Sequence, residues 1–149
     1  MHIKEFESHL FSIGKDEFNT LSVCVSHLNY LNFSSERYDY DKYKKHHHKY
    51  LPHVQISSVD HKIQESKVTG QITLIEPEMR WLCKGLKELA ENSLEDTEQA
   101  LEDDSDKGTW ALDYSKIQLN ILTAFRNALN EPEPDSLWNK YNRLNKVDY

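Results

Sequence analysis

Apolar residues recur at intervals of three and four along most of this 149-residue chain. Such spacing places side chains on one face of an α-helix, where they can be buried together. The stripes begin after helix-start signals at Asp16, Pro77, Ser115 and Asp135. Their members are Phe18, Leu21, Val25, Leu28 and Leu31; Met79, Leu82, Leu86 and Leu89; Ile117, Ile121, Ala124, Phe125 and Ala128; and Leu137, Tyr141 and Leu144. The pattern predicts a mainly α fold, a single domain over residues 1–149 built as an irregular bundle of about five or six helices.

Two regions of the chain have a weaker pattern. Ile3, Phe6, Leu10 and Ile13 have helical spacing and end at Gly14, which predicts a first helix that forms a helical hairpin with the next one. Residues 54–75 alternate weakly and predict a short β-hairpin. The alternative for 58–66 is a helical turn, because Val59 and Ile63 lie four positions apart. The alternative fold class, which includes this hairpin, is α+β.

Local capping signals predict where two of the helices begin. Ser93 followed by Asp96 resembles a capping arrangement, and it indicates a separate acidic helix starting near residue 93. Ser115 and Gln118 form a capping box, which predicts the start of the most apolar helix.

Negative charge is concentrated in one part of the chain. Residues 91–106, which we call the acidic segment, contain eight acids and no base. This segment has a formal charge of −8 and the rest of the chain has a charge of +1, which together give the net charge of −7. We predict an acidic helix and loop over 91–108. Its carboxylates repel one another, but they can also steer the protein onto a basic surface. The simpler alternative is a solvated face that keeps the protein in solution. The acids are Glu91, Glu95, Asp96, Glu98, Glu102, Asp103, Asp104 and Asp106.

Positive charge and tyrosine are concentrated in a second segment, residues 34–53, which lacks periodicity and is predicted to be an irregular arm. Within it, residues 37–50 contain five bases, two acids, three histidines and four of the eight tyrosines. Such a mixture can bind nucleic acid or an acidic partner, although a solvated arm is the simpler interpretation. The secondary basic patch consists of Arg37, Tyr38, Tyr40, Lys42, Tyr43, Lys44 and Lys45.

Several classes of protein are excluded by composition. No stretch approaches the roughly 18 apolar residues of a membrane helix. The first residues contain Glu5 and Glu7 rather than an apolar core, so they do not indicate a signal peptide. The four glycines do not have the spacing of a phosphate-binding or dinucleotide-binding loop. Cys24 and Cys83 fall within helical patterns and predict buried thiols in a reduced, cytoplasmic protein.

No cofactor or metal is expected. His46, His47 and His48 are adjacent, so their side chains point in different directions and do not suit a tetrahedral site. A calcium-loop frame that starts at Asp103 has Lys107 at its fifth position and Tyr114 at its twelfth, and neither supplies the required carboxylate. Cys24 and His27 can share a helix face, but packing is the simpler role for a thiol in an apolar stripe. We therefore predict no catalytic residues.

These observations favour a small acidic binding protein that inhibits or regulates another macromolecule, of the immunity-protein, antitoxin or anti-defence kind. The acidic segment would occupy the basic groove of a partner protein, and Trp110, beside Gly108 in a predicted loop, would supply an exposed aromatic anchor. Direct binding to nucleic acid or to a membrane is not favoured, and a homodimer is an alternative. Two other hypotheses stay open: a structural or accessory subunit of a larger complex, and a helical nuclease or metal-dependent enzyme without a recognisable motif.

Overall fold

A computed structural model describes residues 6–33, 56–102 and 107–146. In these ranges the protein has five helices and one two-stranded antiparallel sheet, which confirms the predicted mainly α class. The elements, in chain order, are β1 (Ser8–Ser12), α1 (Lys15–Phe33), α2 (Ile56–Thr69), β2 (Gln71–Ile75), α3 (Glu76–Glu102), α4 (Lys107–Ala128) and α5 (Asp135–Asn145). The predicted basic arm, 34–53, lies outside the described residues, as do His46, His47 and His48.

The chain forms two compact units, Met1–Gly85 and Leu86–Tyr149, and the boundary between them lies inside α3. In the first unit, β1 pairs with β2 in antiparallel register, Ser8 opposite Ile75 and Ser12 opposite Gln71. The buried side chains of this unit come from α1, α2, β2 and the first part of α3, whereas β1 contributes none: Leu21, Cys24, Val25, Leu28, Val59, Ile63, Ile72, Leu74, Met79 and Leu82. In the second unit the buried set includes Leu86, Leu94, Leu119, Leu122, Phe125, Tyr141 and Leu144. The predicted apolar stripes supply part of each core. Other stripe members, among them Phe18, Leu89, Ile117 and Leu137, are only half-buried, and Ala124 is exposed.

The N-terminal helix prediction was wrong. Residues 8–12 form a strand instead, because the backbone of this segment pairs with 71–75 and Leu10 is exposed rather than buried. The predicted strand pairing within 54–75 was also wrong in its first half. Residues 56–69 form α2, in which Val59 and Ile63 are fully buried, as the alternative interpretation of 58–66 proposed. Only the second half of that region is a strand, and its partner comes from the N-terminal end of the chain.

Gly70 joins α2 to β2. Its φ of 72° is a left-handed conformation that favours glycine. Its N–H donates to the carbonyl of Ser66 at 2.8 Å and so ends α2, while its own carbonyl accepts from the N–H of Ile13 at 2.8 Å. One glycine therefore ends a helix and also extends the pairing between the two strands.

The two serine caps were placed wrongly, because both serines lie inside longer helices. Helix α3 runs without interruption from Glu76, next to the predicted start at Pro77, and the carbonyl of Ser93 accepts a hydrogen bond from the hydroxyl of Thr97 at 2.8 Å. Ser115 is buried within α4, and its hydroxyl donates to the carbonyl of Leu112 at 2.6 Å. The buried Ser115 hydroxyl is satisfied by a carbonyl in the preceding turn, so it does not need a helix end.

The remaining fold predictions concern the cysteines, the last helix and the membrane. Cys24 and Cys83 are free thiols and both are buried, as expected. Helix α5 begins at Asp135, where a start was expected, but Pro134 and not Asp135 occupies the cap position, and no side chain caps the helix. Within 6–33, 56–102 and 107–146, every helix is too short or too polar to cross a bilayer.

Candidate functional site

The described part of the acidic segment is the C-terminal end of α3, and it has two contrasting faces. Its inner face consists of Ala90, Leu94, Thr97 and Ala100, which are all buried. The spacing of Leu94, Thr97 and Leu101 predicts a narrow inner face; Leu94 and Thr97 are buried as expected, whereas Leu101 is only half-buried. Because the inner face is buried, the helix must present its acids to solvent.

Five glutamates follow one another along the outer side at alternating intervals of three and four residues. At 100° per residue, all five fall within an arc of about 80°, and they extend about 21 Å along the helix axis. We call this set the glutamate stripe; it consists of Glu88, Glu91, Glu95, Glu98 and Glu102. Asp96 is exposed too, but it lies about 100° around the helix from Glu95. Asp103, Asp104 and Asp106 lie outside the described residues.

The helix dipole does not stabilise these acids. The interpretation in which Glu95 and Asp96 lie near a helix start was wrong, since α3 begins at Glu76 and both residues are within its last two turns. Glu102 is the last residue of α3, at the negative end of the helix dipole, where an acidic side chain costs about 0.3–1 kcal/mol. The last turn contains no basic residue that would offset this cost. Glu91 and Glu95 also repel each other at i,i+4, as do Glu98 and Glu102.

Basic neighbours offset part of this repulsion. The Glu98 carboxylate forms ion pairs with two bases of α5: it lies 3.1 Å from the Arg143 guanidinium and 3.8 Å from the Lys140 ammonium. Glu91 lies 3.9 Å from Lys87, one turn earlier in α3, so the expectation that these acids lack a basic partner within their helix was wrong for Glu91. Across the part of the chain that the structure describes, no ion pair engages Glu95, Asp96 or Glu102. The unpaired charge is therefore greatest in the last two turns of α3.

An exposed aromatic pair lies in the same compact unit. Trp110 is 73% exposed, as predicted, although it belongs to α4 rather than to a loop. Tyr114 follows one helical turn later and is 60% exposed, so the two rings share one side of α4. Sequence reasoning did not identify Tyr114, although its i,i+4 spacing from Trp110 was a usable signal. Ile117 and Ile121 follow on the same side of α4, and Ile121 is buried. This apolar stripe is therefore exposed at its N-terminal end and buried at its C-terminal end.

The other tryptophans are packing residues. Trp81 is 2% exposed. Trp138 donates its Nε1–H to the hydroxyl of Thr123 at 2.8 Å, and its ring meets Tyr141 edge-on with centroids 5.6 Å apart. The hydrogen bond joins α5 to α4, and the ring contact lies within α5, the helix from which Arg143 reaches Glu98. By sequence all three tryptophans are candidate anchors of helix packing, with Trp110 the one most expected to be exposed; Trp81 and Trp138 make packing contacts, and Trp110 is exposed.

A second candidate site lies in the first unit, where residues of α1, of α2 and of the connection between β1 and α1 line a cleft of about 360 Å³. Its lining consists of Ile13, Gly14, Lys15, Phe18, Asn19, Ser66 and Lys67. Its polar groups are already engaged in part, because the Lys67 ammonium lies over the Phe18 ring, 5.6 Å from the centroid, and the Ser66 hydroxyl donates to the Ile63 carbonyl. The Glu17 carboxylate also lies beside Gly14. The charges of this cleft therefore do not converge on one ligand chemistry.

The composition of the stripe limits what it can do chemically. Its residues are all carboxylates, and the sequence after Cys83 contains neither histidine nor cysteine. Among the described residues, no three or more His, Cys, Asp or Glu side chains form a metal-binding group. Carboxylates along a helix at steps of about 4.5 and 6 Å form a sparse line of negative charge, compared with a phosphate about every 3.4 Å along one strand of DNA. The arrangement is suited to electrostatic recognition of a positive surface.

Comparisons with known proteins provide no relative. The chain matches no protein-family model, and it matches neither a curated protein nor a solved structure.

Proposed function

We propose that this chain is a small acidic binding protein that inhibits or regulates a macromolecular partner by occupying a basic, nucleic-acid-binding surface. The observation that carries the proposal is the glutamate stripe: five carboxylates on one face of α3, over a buried inner face that fixes their direction. Such an arrangement reduces helix stability locally, and local violations of this kind concentrate at functional sites. We place the protein in the cytoplasm, where its two free thiols are stable.

The stripe acts first at long range. A row of like charges raises the rate of encounter with an oppositely charged surface, and salt reduces this effect. Glu95 and Glu102 are best placed for this role, because no described base neutralises them. Glu98 has a double role in the proposal, since Arg143 and Lys140 fix its position while reducing its net field.

The aromatic pair acts at short range. Trp and Tyr are the residue types that most often dominate the energy of an interface, since each buries a large ring and keeps a polar edge. Trp110 and Tyr114 are exposed in the same unit as the stripe. In the proposal the carboxylates set the association rate and the aromatic pair sets the dissociation rate.

The test compares two triple variants of equal charge. In the first, Glu95, Glu98 and Glu102 are changed to Lys; in the control, the exposed acids Asp60, Glu65 and Glu133 are changed to Lys. Each reversal adds two charges, so both variants carry −1 instead of −7. The partner is first isolated from the native host with the wild-type protein, and binding rates to that purified partner are then measured at several salt concentrations.

We expect the stripe variant to associate at least about tenfold more slowly at low salt, with a flatter salt dependence, while the control changes much less. Single-stranded or duplex nucleic acid should compete with the wild-type protein for the partner. Trp110→Ala should instead raise the dissociation rate, by roughly thirtyfold if the ring is a central anchor. Equal association rates for the two triple variants at low salt contradict the mechanism.

A second candidate function is favoured by one observation, the open apolar side of α4. An accessory subunit would bury Trp110 and Tyr114 in a permanent interface. In that case the complex with its partner would be stable at high salt, would be insensitive to the stripe variant, and would be lost on Trp110→Ala.

A further inference from the structure

The two outer edges of the sheet differ in how their backbone groups are satisfied. The N–H of Ile13 donates to the carbonyl of Gly70 at 2.8 Å, one step beyond the pair Ser12–Gln71. Hydrogen bonds in an antiparallel pair occur at every second residue pair, so His9 and Phe11 also bond toward β2. The N–H and C=O groups of Ser8, Leu10 and Ser12 therefore point away from β2.

The outer edge of β2 is closed by its own neighbours. The hydroxyl of Thr69 donates to the carbonyl of Gln71 at 3.0 Å, and the Gln71 N–H lies 3.3 Å from the same hydroxyl oxygen. At the other end of the strand, the N–H of Ile75 donates to Oε1 of Glu78 at 3.0 Å. Side chains thus occupy the outward backbone groups at both ends of this edge, which opposes the pairing of an incoming strand there.

The outer edge of β1 has no such protection. Within the described ranges, no hydrogen bond engages the outward backbone groups of Ser8, Leu10 or Ser12. The strand Ser8–Ser12 contains no lysine, proline or acid, which are the residues that usually prevent pairing at an exposed edge. Leu10 is 62% exposed on the same side of the sheet as the two serines.

We propose that β1 pairs with β1 of a second copy of this chain, in antiparallel register centred on Leu10. Leu10 then lies opposite Leu10 of the second copy, and Ser8 lies opposite Ser12 at each end. Each of these pairs can exchange both of its backbone hydrogen bonds. The result is a continuous four-stranded sheet with a two-fold axis at its centre, and its outermost strands are the closed edges of β2.

The sequence of β1 argues for a second copy as the occupant. Its outward-facing residues, Ser-Leu-Ser, are symmetric about Leu10, so the strand is complementary to itself in one register. If the register shifts by two residues, one of the three residues whose backbone groups point away from β2 has no partner in the other strand. The strand also carries no formal charge, so two copies bring no like charges together at their centre. Pairing would bury the exposed Leu10 side chains against each other.

Disulfide trapping tests the register directly. A hydrogen-bonded antiparallel pair has Cα atoms about 5.5 Å apart, which is within the usual range for a disulfide. Leu10→Cys should therefore form a covalent dimer rapidly under mild oxidation. The matched control is Thr73→Cys, on the same exposed face but on β2, where the two copies would be three strand spacings apart, about 14 Å. It should cross-link slowly, as should the wild-type chain, whose two thiols are buried.

The second measurement is the dimer dissociation constant from sedimentation over a range of protein concentrations. Leu10→Lys places two ammonium groups directly opposite each other and should raise this constant at least about tenfold, whereas Thr73→Lys should leave it within about threefold. Circular dichroism and thermal melting should show that both variants keep the wild-type fold.

A chain that is monomeric at every concentration, with Leu10→Cys cross-linking no faster than Thr73→Cys, overturns the proposal. So does a dimer that is indifferent to Leu10→Lys. The proposal is also overturned if the chain is a monomer and Leu10→Lys abolishes its binding to the partner protein. That result would show that the edge of β1 pairs with a strand of the partner. The stripe variants leave β1 unchanged, so the proposed function and this dimer succeed or fail separately.

Discussion

The two ends of α3 use the same side chain in opposite ways. Near the start, Glu78 is 3% exposed, and its carboxylate accepts from the Lys62 ammonium at 2.7 and 3.0 Å and from the N–H of Ile75. Near the end, Glu95 is exposed, and no described base pairs with it. One carboxylate holds α2, β2 and α3 together, whereas the other contributes nothing to packing.

This difference shows why the acidic residues of one helix cannot be treated as a class. A buried carboxylate must be fully paired, since burying an isolated charge is very costly. An exposed carboxylate needs no partner, so its position can be selected for an external purpose. The glutamate stripe is therefore interpreted as a feature for recognition, and Glu78 as a part of the scaffold.

The largest effect is expected at Glu78. Glu78→Ala removes an acceptor from the Ile75 N–H and leaves the half-buried Lys62 without its partner, so the free energy of unfolding should fall by about 3 kcal/mol. Glu78→Gln keeps an acceptor for the Ile75 N–H and should lose less. Urea denaturation of the three proteins measures this, and equal stability of Glu78→Ala and wild type contradicts the assignment.

A smaller loss is expected at Gly85, where the packed part of α3 meets α1. A Cβ at this position would lie 2.7 Å from the Cys24 sulfur and 2.9 Å from Leu28. Gly85→Ala should therefore lower the free energy of unfolding by about 1–2 kcal/mol, after the gain in helix propensity is included. Lys84→Ala, at the neighbouring exposed position, should change it by less than about 0.5 kcal/mol. A stabilised Gly85→Ala variant would show that α1 can move away.

The smallest effects are expected at Glu98 and Glu95, where the same change to Gln should shift the free energy of unfolding in opposite directions. Glu98→Gln removes the ion pairs to Arg143 and Lys140 and should cost about 0.5–1 kcal/mol. Glu95→Gln relieves like-charge repulsion and should stabilise the protein by about 0.3 kcal/mol. A double-mutant cycle with Arg143→Gln isolates the Glu98 pair, and a coupling energy of zero would place Glu98 with the unpaired acids.

Sequence reasoning located the helices whose stripes are complete. Leu21, Val25 and Leu28 in α1, and Met79, Leu82 and Leu86 in α3, are all buried because their spacing alone defines the face. The exposure of Trp110 was predicted for the wrong reason, because the residue lies in α4 and not in a loop beside Gly108. Glu91, Glu95 and Glu102 were predicted as exposed acids because nothing apolar shares their face.

Non-local features could not be predicted in the same way. Strand β1 is defined by its pairing with residues far along the chain, and its exposed Leu10 imitates one position of a helical stripe. The caps at Ser93 and Ser115 failed because a local motif does not reveal that the helix already began upstream. The pairing of Glu98 with Arg143 joins two helices, so no single stretch of sequence contains it.

The pairing of β1 with β2 also sets an order of events during folding. Ser12 and Gln71 lie 59 positions apart, and α1 and α2 lie between them. Helices form from local contacts, whereas this sheet must close a long loop before any of its hydrogen bonds can form. During synthesis β1 is made before β2 and cannot pair until Gln71–Ile75 has followed. β1 therefore lacks its partner strand for as long as α1 and α2 are being made.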